Sequence, residues 1–446
     1  MSDALAPATR HGVRLRRWLV GVGGLAAVVG AVFAWPWLRA GRHLEAANQA
    51  MERGDYDAAL QALGRAEALQ PRRAHVQFLL AVASRRKGRL EQFQQHWQRA
   101  AELGYPEEDL RLQQMLAVAQ TGNVPAVERP LREAIDRGAP DHVAEQIYEA
   151  IAQGHLAAYR VTDATVCLDY WITWRPHAPR ARILRAMVQE QHGNYAKAAD
   201  EYRAVLDVYP DHRDARLRLG DALLQANDLD EAREQFQTLV AADPNDSMAL
   251  LGLGQVERRL GAPADARQHL EAALATEIDP YRRGIGLGEL GRVLLGEGRT
   301  EEAIAALTKA LDYVPMEWPV HHALGTALAR LGQTEKAKQH MEMYVRTRKK
   351  FDRMTDITRL LIKRPNDADL RSEAGAILLE HGLKKEGADW LLTALGCDPA
   401  HRKTHELLAN YYAELGNHRL AAEHRLLAAA SPAEKPPPKP ARPVPP

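Results

Sequence analysis

Three glycines in this sequence match a pattern that can bind a dinucleotide. Gly286, Gly288 and Gly291 satisfy GxGxxG, in which a loop presents backbone amides to phosphate groups. That chemistry needs a strand before the glycines and a helix that opens at them. The surrounding sequence offers neither context. We therefore interpret these glycines as residues that allow helices to pack closely, and we predict no nucleotide cofactor.

The histidines suggest a metal site at two places. His401 and His405 stand four residues apart on a predicted helix, and Glu406 follows as it would at the start of HExxH. The second ligand of that motif is missing, because Leu-Leu-Ala comes next. His321 and His322 are adjacent, so they point in different directions on a helix. We predict no metal and no other cofactor, and we interpret the histidines as surface or packing residues.

No arrangement of nucleophiles indicates catalysis. The two cysteines, Cys167 and Cys397, lie far apart and outside any CxxC motif, so neither a disulfide framework nor a thiolate zinc site is expected. We interpret both as small buried hydrophobic residues. The sequence contains neither GxSxG nor GxxxxGK[ST]. We predict that the chain is not an enzyme, and an unrecognised activity is the remote alternative.

The composition predicts an all-helical protein without a strong electrostatic field. The 446 residues include 59 basic and 58 acidic side chains, and 46% of the chain is hydrophobic. A formal charge of +1 gives no general attraction to polyanions, so we expect no nucleic-acid partner. Aromatic residues make up only 6%, whereas good helix formers such as Ala, Leu, Arg, Glu and Gln dominate.

Residues 18–38 predict a transmembrane helix. These 21 residues carry no charge, and as a helix they span about 30 Å, the thickness of the hydrocarbon layer of a membrane. Trp18 lies at one edge, and Trp35 and Trp37 lie at the other, where interfacial aromatic residues are common. The sequence therefore predicts that residues 18–38 insert into a lipid bilayer.

The arginines around this segment predict its orientation. More of them precede the span than follow it closely: Arg10, Arg14, Arg16 and Arg17 against Arg39 and Arg42. Since positive residues stay inside, residues 1–17 are expected in the cytoplasm and the rest on the non-cytoplasmic, periplasmic-type side. The alternative is a signal peptide cleaved after Val32-Phe33-Ala34, which would also export the body. At the other end, the proline-rich residues 432–446 are expected to form an extended, disordered tail.

The region between the two ends repeats every 34 residues. Glycines keep this interval at several places, for example Gly54, Gly88 and Gly122. If the turn glycine is the fifteenth residue of each unit, small residues recur at the eighth place: Ala186, Gly220, Gly254, Gly291, Gly325, Gly375 and Ala409. Two antiparallel helices approach closely only where side chains are small, so each unit is expected to be a helix pair. Apolar residues at three- and four-residue steps give each helix one buried stripe.

Residues 216–244 and 250–274 resemble the tetratricopeptide repeat, whose small residues and proline fall at the same spacing. The resemblance covers eleven units over residues 40–431. It implies an all-α solenoid of helix-turn-helix units that winds as a right-handed superhelix. We divide it into N-terminal repeats (residues 40–178), a central regular array (residues 179–351), an inserted helical connector (residues 352–367) and a C-terminal pair (residues 368–431).

Two segments depart from the regular period. Residues 142–178 are three residues too long and show no clear turn, so their helices are expected to be lengthened or kinked. Sixteen extra residues follow Tyr344, most simply as an extended second helix. This insertion carries a basic cluster of Arg346, Arg348, Lys349, Lys350 and Arg353. We interpret the cluster as a solvated helix face. The alternative is that it binds an acidic partner.

The resemblance implies a concave groove that is lined by the first helix of each unit and binds a protein or peptide. The positions that the family places in this groove are Met187, Gln191, Asp221, Gln225, Gln255, Arg259, Arg292, His322, Thr326 and Arg330. Chaperone-binding members hold a carboxylate with Lys and Asn four residues apart. The equivalent pairs here are Leu217 with Asp221 and His322 with Thr326, so that clamp is not expected.

We therefore predict a non-catalytic, membrane-tethered scaffold that recruits or assembles proteins outside the cytoplasm. The alternative is a regulatory or assembly subunit of a membrane enzyme complex, of the type that matures cofactors or cytochromes. The sequence does not identify the partner.

Overall fold

The computed structural model describes residues 38–429, which form eleven helix pairs and contain no strand. This confirms the predicted all-α fold. In each pair the first helix has an odd number and the second an even number. No helix among residues 38–429 is both long and apolar enough to cross a membrane. The predicted membrane span and the proline-rich tail lie outside the described residues, apart from Leu38.

Unit 1 is a compact group of helices that ends at Ala117. It contains α1 (residues 38–53), α2 (Tyr56–Leu69), α3 (Ala74–Arg86), α4 (Leu90–Glu102) and the first part of α5 (Glu107–Gln120). Its core joins Leu63 of α2 to Leu80 of α3, and both side chains are buried. The stripe that each helix buries is the one that its apolar spacing predicts.

Unit 2 begins at Val118 and contains most of the repeats. After α6 (Val124–Asp136), eight helix pairs follow. The first helices are α7 (Asp141–Ala157), α9 (Pro179–Gln191), α11 (Arg213–Ala226), α13 (Ser247–Leu260), α15 (Pro280–Gly296), α17 (Trp318–Arg330), α19 (Ala368–Glu380) and α21 (Arg402–Glu414). The second helices are α8 (Val161–Trp174), α10 (Tyr195–Leu206), α12 (Leu229–Ala242), α14 (Pro263–Ala275), α16 (Thr300–Tyr313), α18 (Thr334–Lys363), α20 (Lys384–Cys397) and α22 (His418–Ala429).

The small residues at the eighth place seat an apolar side chain of the second helix. A Cβ atom on Gly254 would lie 2.5 Å from Leu270 Cγ, and one on Gly291 would lie 2.5 Å from Leu307 Cγ. These distances are too short for any residue but glycine. Gly286 and Gly288 are also buried inside α15. The glycines of the GxGxxG pattern are therefore packing residues within a continuous helix.

A side chain at the fourth place of five repeats ties the first helix to the preceding loop. In each case it donates a hydrogen bond to the carbonyl of the proline six residues earlier. The donors are Arg182, Arg216, His321, Arg371 and His405, at 2.6 to 3.1 Å from Pro176, Pro210, Pro315, Pro365 and Pro399. Proline has no backbone N–H, so the loop offers one donor fewer than usual. The side chain at the fourth place supplies a donor for the proline carbonyl.

The irregular repeat has a turn that the sequence did not reveal. Helix α7 is lengthened to 17 residues, and a turn at residues 158–160 joins it to α8. Tyr159 adopts the left-handed conformation there, with φ of 51°. The turn was missed because that conformation normally calls for Gly or Asn. Here the ring of Tyr159 packs on Trp390, with ring centroids 4.2 Å apart, and this contact supports the strained backbone.

The same contact joins parts of unit 2 that are far apart in sequence. The guanidinium group of Arg371 donates to the carbonyl of Ala158, and only 1% of its surface is exposed. Ile362 packs against the apolar cluster around Trp171. Thus the C-terminal repeats contact the turn between α7 and α8, and unit 2 closes on itself.

The sixteen-residue insertion continues the second helix without a break. Helix α18 runs for 30 residues from Thr334 to Lys363. Its C-terminal half packs against α19 through Ile357 and Leu361, which are fully buried. At 100° per residue, sixteen residues rotate the stacking side of the helix by about 160°. The repeats after the insertion therefore pack on the opposite side of α18.

We expect Gly254→Leu to destabilise unit 2, because its side chain would separate α13 from α14. The loss of stability should be about 3 kcal/mol, since overpacking adds to the separation of the helices. Thermal unfolding followed by circular dichroism measures this effect. Gly396→Leu is the matched control, because no atom lies within 4 Å of a Cβ added there. Equal melting temperatures for the two variants would contradict the assigned packing.

Candidate protein-binding surface

The first helices of unit 2 form one continuous face. Helices α11, α13 and α15 each contact the next first helix in the series, and α7 contacts α9 in the same way. The second helices make no comparable series of contacts among the described residues. The first helices therefore lie on the inner side of the curve. We call the surface of α9, α11, α13, α15 and α17 the first-helix face.

All ten predicted groove residues lie on the first-helix face, but they differ in what they contact. Met187 is half-buried and packs into the core between repeats. Arg259 donates to the carbonyl of Leu224 at 2.5 Å, and Arg330 donates to that of Leu295 at 2.8 Å. Both arginines thus satisfy carbonyl groups in the last turn of the preceding first helix. We assign these three residues to repeat stacking rather than to ligand binding.

Arg292 is also engaged within the protein. It donates to Glu289 at 2.8 Å, and Arg258 of the neighbouring helix donates to the same carboxylate at 2.5 Å. One glutamate thus bridges two repeats. Arg292 already binds this carboxylate, which makes it a weaker candidate for contact with a ligand.

Four polar side chains on the face form neither a hydrogen bond nor an ion pair within the described part of the protein: Gln191, Asp221, Gln225 and Gln255. They lie together on α9, α11 and α13. Amide groups donate and accept hydrogen bonds, as the backbone of a bound peptide requires.

Asp221 has an unusual environment. Its side chain reaches solvent, yet it lies among several helices of the inner face, and the resulting desolvation raises its pKa to about 6. Glu190 lies within electrostatic range and adds to this shift, whereas Arg218 opposes it. Desolvation also raises the pKa of Glu190, which accepts a hydrogen bond from Tyr202 at 2.9 Å. This part of the face therefore favours a cation.

The two predicted clamp positions cannot hold a carboxylate in the manner of the chaperone-binding members. Leu217 is buried in the core next to Asp221. At the second position the hydroxyl of Thr326 donates to the carbonyl of His322 at 2.9 Å. Neither pair supplies a cationic side chain, as predicted from the residue types.

The basic cluster on α18 is largely neutralised by internal contacts. Arg353 forms two hydrogen bonds with Glu373, at 2.7 and 2.6 Å. Lys350 pairs with a glutamate at the end of α19. Arg348 lies over the ring of Trp318, 4.5 Å from its centroid. The side chains of Arg348 and Arg353 remain 44% and 42% exposed, so the cluster still lies at the surface, but these residues and Lys350 also join the inserted helix to its neighbours.

The histidines do not assemble a metal centre among residues 38–429, where no group of three candidate ligands occurs. His401 begins α21 and contacts Asp369 at 3.0 Å. His405 points elsewhere, with its Nδ1 atom 2.9 Å from that of His424. His321 is buried in the same way against His340, at 3.1 Å. These pairs pack the first helix on the second in two repeats.

Both cysteines are free and half-buried. Burial raises the pKa of Cys167 to about 12, so its thiol stays protonated at neutral pH and is a poor nucleophile.

Comparison with known proteins identifies the repeats directly. One model described as tetratricopeptide repeat matches residues 44–104, 168–213, 183–247 and 217–282. A second model with the same description matches residues 294–357. Together they cover more than half of the chain, in both units. No curated protein matches the sequence.

Several solved structures share the helical repeat. A tetratricopeptide repeat protein from Parabacteroides merdae is 16% identical, with 65% of this chain and 99% of that chain covered and a TM-score of 0.36. The APC/C hetero-tetramer Cut9–Hcn1 is 14% identical, with 94% and 93% covered and a TM-score of 0.34. YrrB, described as having an unusual peptide-binding site, is 18% identical, with 46% and 96% covered and a TM-score of 0.29.

The raised pKa of Asp221 predicts a pH-dependent effect of Asp221→Asn on stability. Because the folded pKa lies above the ordinary value of 3.8, the wild type binds more protons when folded than when unfolded between about pH 4 and 6. Its stability should therefore fall as pH rises through this window, and the variant should escape that loss. Solvent access limits the gain to about 1 kcal/mol at pH 7.5.

Denaturant unfolding at pH 4.5 and pH 7.5 tests this expectation. Glu234→Gln, at an exposed position on the second helix of the same repeat, is the control. An equal effect of Asp221→Asn at both pH values would show that Asp221 titrates normally.

Proposed function

The chain belongs to the tetratricopeptide repeat family, and from this we propose that its first-helix face binds an extended peptide or helix of a partner protein. Repeats of this family build protein-interaction scaffolds with long concave surfaces. The observation that carries the proposal is the group of unpartnered polar side chains on α9, α11 and α13. Elsewhere on the same face, Arg259, Arg292 and Arg330 are engaged within the protein.

The free groups define the chemistry of the partner segment. Three glutamine amides can pair with backbone N–H and C=O groups, which suits a segment in extended conformation. Asp221 adds a carboxylate that forms no ion pair among the described residues, although Arg218 and Arg282 lie within electrostatic range. A Lys or Arg side chain of the partner would neutralise it and lower its pKa. We therefore propose a basic peptide segment as the ligand.

We also propose that residues 18–38 hold this scaffold at a membrane, with the repeats on the non-cytoplasmic side. The support is the sequence: an uncharged run of full membrane length, tryptophans at its edges and an excess of arginine before it. A tether concentrates the scaffold near membrane-bound partners, which fits recruitment or assembly of exported proteins. Assembly of a membrane enzyme complex would use the same arrangement.

The anchor is tested by the intact mass of protein extracted from membranes. We expect the full chain, resistant to carbonate extraction and degraded by protease added to the non-cytoplasmic side. A mass that begins at Trp35 would instead establish cleavage after Ala34 and a released scaffold.

The binding face is tested with Asp221→Lys in the full-length protein. This change should repel a basic segment and reduce partner recovery at least about tenfold, because an ionic contact becomes like-charge repulsion. Quantitative cross-linking and mass spectrometry in cells measures the recovery. Glu234→Lys is the matched control, since it makes the same change of charge on α12 of the same repeat. Equal partner profiles for the two variants would reject the first-helix face as the site.

A further inference from the structure

The twenty-fourth residue of each repeat lies at the centre of the contact between neighbouring repeats. It projects from the second helix and is covered by its own first helix and by the next one. Phe236 shows both contacts: a Cβ added to Gly220 would lie 2.6 Å from its ring, and one added to Gly252 would lie 2.5 Å away. Its equivalents are also completely buried: Tyr202, Leu270, Leu307 and Leu391.

Met341 occupies this place in the repeat of α17 and α18, but it is covered on one side only. Its sulfur would lie 2.9 Å from a Cβ added to Gly325 of its own first helix. The next first helix, α19, packs instead on Ile357 and Leu361, sixteen residues further along and on the opposite side of α18. Met341 is consequently 37% exposed, and Val345, one turn further, is 62% exposed.

The uncovered side forms an open cleft of about 620 Å³ between α17 and the first half of α18. We call it the stacking cleft, and its lining is almost entirely apolar. Residues that line it include Gly325, Thr326, Ala329, Ala337, Lys338 and Met341. Small residues of both helices, among them Gly325, Ala329 and Ala337, form part of its floor. The stacking cleft thus has the form of an internal repeat interface from which the neighbouring helix has been removed.

The last described repeat has polar residues around the corresponding cleft. There the twenty-fourth residue is Arg425, and the corresponding cleft is lined by Arg402, Glu406 and Asn410. A polar outer face is what the end of a solenoid requires for solubility. The stacking cleft keeps an apolar residue at the same place, so it resembles an interface and not an end.

Charge indicates what fills the stacking cleft. In the repeat of α13 and α14, the twenty-first residue is Arg267, which pairs at 3.3 Å with Glu297, just after the end of the next first helix. Lys338 is the equivalent residue of the stacking cleft, and it has no acidic partner among the described residues. An occupant with a carboxylate near its C-terminal end would restore this ion pair.

A second copy of the chain that docked with its first described repeat would not bring a carboxylate to Lys338. Helix α1 begins the described repeats, and Arg53 stands in the register of Glu297. Docking of α1 would place Arg53 next to Lys338, and like charges would oppose it. This charge disfavours a second copy docked through α1, and we take the occupant to be a different protein.

We propose that the stacking cleft binds an amphipathic helix of a partner protein, with small and apolar residues on one side and an acidic residue near its C-terminal end. The helix takes the place that α19 would hold without the insertion, so that it covers Met341 and Val345 and pairs with Lys338. This site is separate from the free polar groups on α9, α11 and α13. A scaffold with both sites can hold two partner segments at once.

The probe for this site is a fluorescent peptide of residues 280–299 of this chain, which is the helix that covers Leu270 and carries Glu297. We expect it to bind full-length protein in fluorescence anisotropy. The same peptide with Glu297→Lys should bind about tenfold more weakly. The protein variant Lys338→Glu should reverse this order, and such a reversal is specific to the proposed ion pair.

Protein variants separate the stacking cleft from other surfaces. Met341→Lys should weaken peptide binding at least tenfold, whereas Leu426→Lys, at a position that is 74% exposed on α22, should leave it unchanged. Asp221→Lys should also leave it unchanged, so a failure of the first-helix face would not affect this result. Melting temperatures within about 2 °C of wild type show that the variants are folded.

Three outcomes would overturn the proposal. One is no binding of the peptide up to about 500 μM. Another is equal binding by wild type and Met341→Lys, or unchanged peptide preference with Lys338→Glu. The third is a dimer in analytical ultracentrifugation that is lost in Met341→Lys, which would identify a second copy as the occupant.

Discussion

Unit 2 depends on one repeated contact, in which an apolar side chain of the second helix sits between two first helices. The contact requires a small residue on its own first helix, because a Cβ atom there would lie within about 2.5 to 2.9 Å of the seated side chain at Gly220, Gly254, Gly291, Gly325 and Gly375. Protein interiors tolerate such misfits poorly, since they are packed as densely as organic crystals. The contact therefore fixes both the pairing within a repeat and the distance to the next repeat. The first-helix face exists because this spacing keeps the first helices side by side.

The fold follows from this contact, and so it could be predicted from the sequence. The small residues at the eighth place are visible in the sequence itself, and they set the helix pairs. The turn at Tyr159 could not be predicted, because a tyrosine in the left-handed conformation depends on the distant ring of Trp390. In the same way, the contact between Arg371 and Ala158 joins residues 213 positions apart and has no local signal.

The candidate site was predicted only in outline. The family register places the ten residues on first helices of unit 2, since the register follows the packing pattern. Whether a polar side chain is free or engaged depends on neighbours from other repeats, as Arg259 and Arg330 show by bonding to the preceding helix. The same is true of Lys350 and Arg353, whose partners lie on the next first helix. The stacking cleft could be found only from the structure, because the direction of α18 shows which side of this helix the next repeat covers.

The closure of unit 2 has a mechanical consequence. An open solenoid behaves like a spring, since each repeat touches only its neighbours and small rotations add up along the array. A contact between the turn after α7 and the repeat of α19 and α20 couples the two ends of that spring. Bending or stretching the intervening repeats then works against a buried arginine and a stacked aromatic pair, so the inner face resists changes of width. A force applied across this unit would therefore act on a stiff ring rather than on an extensible coil.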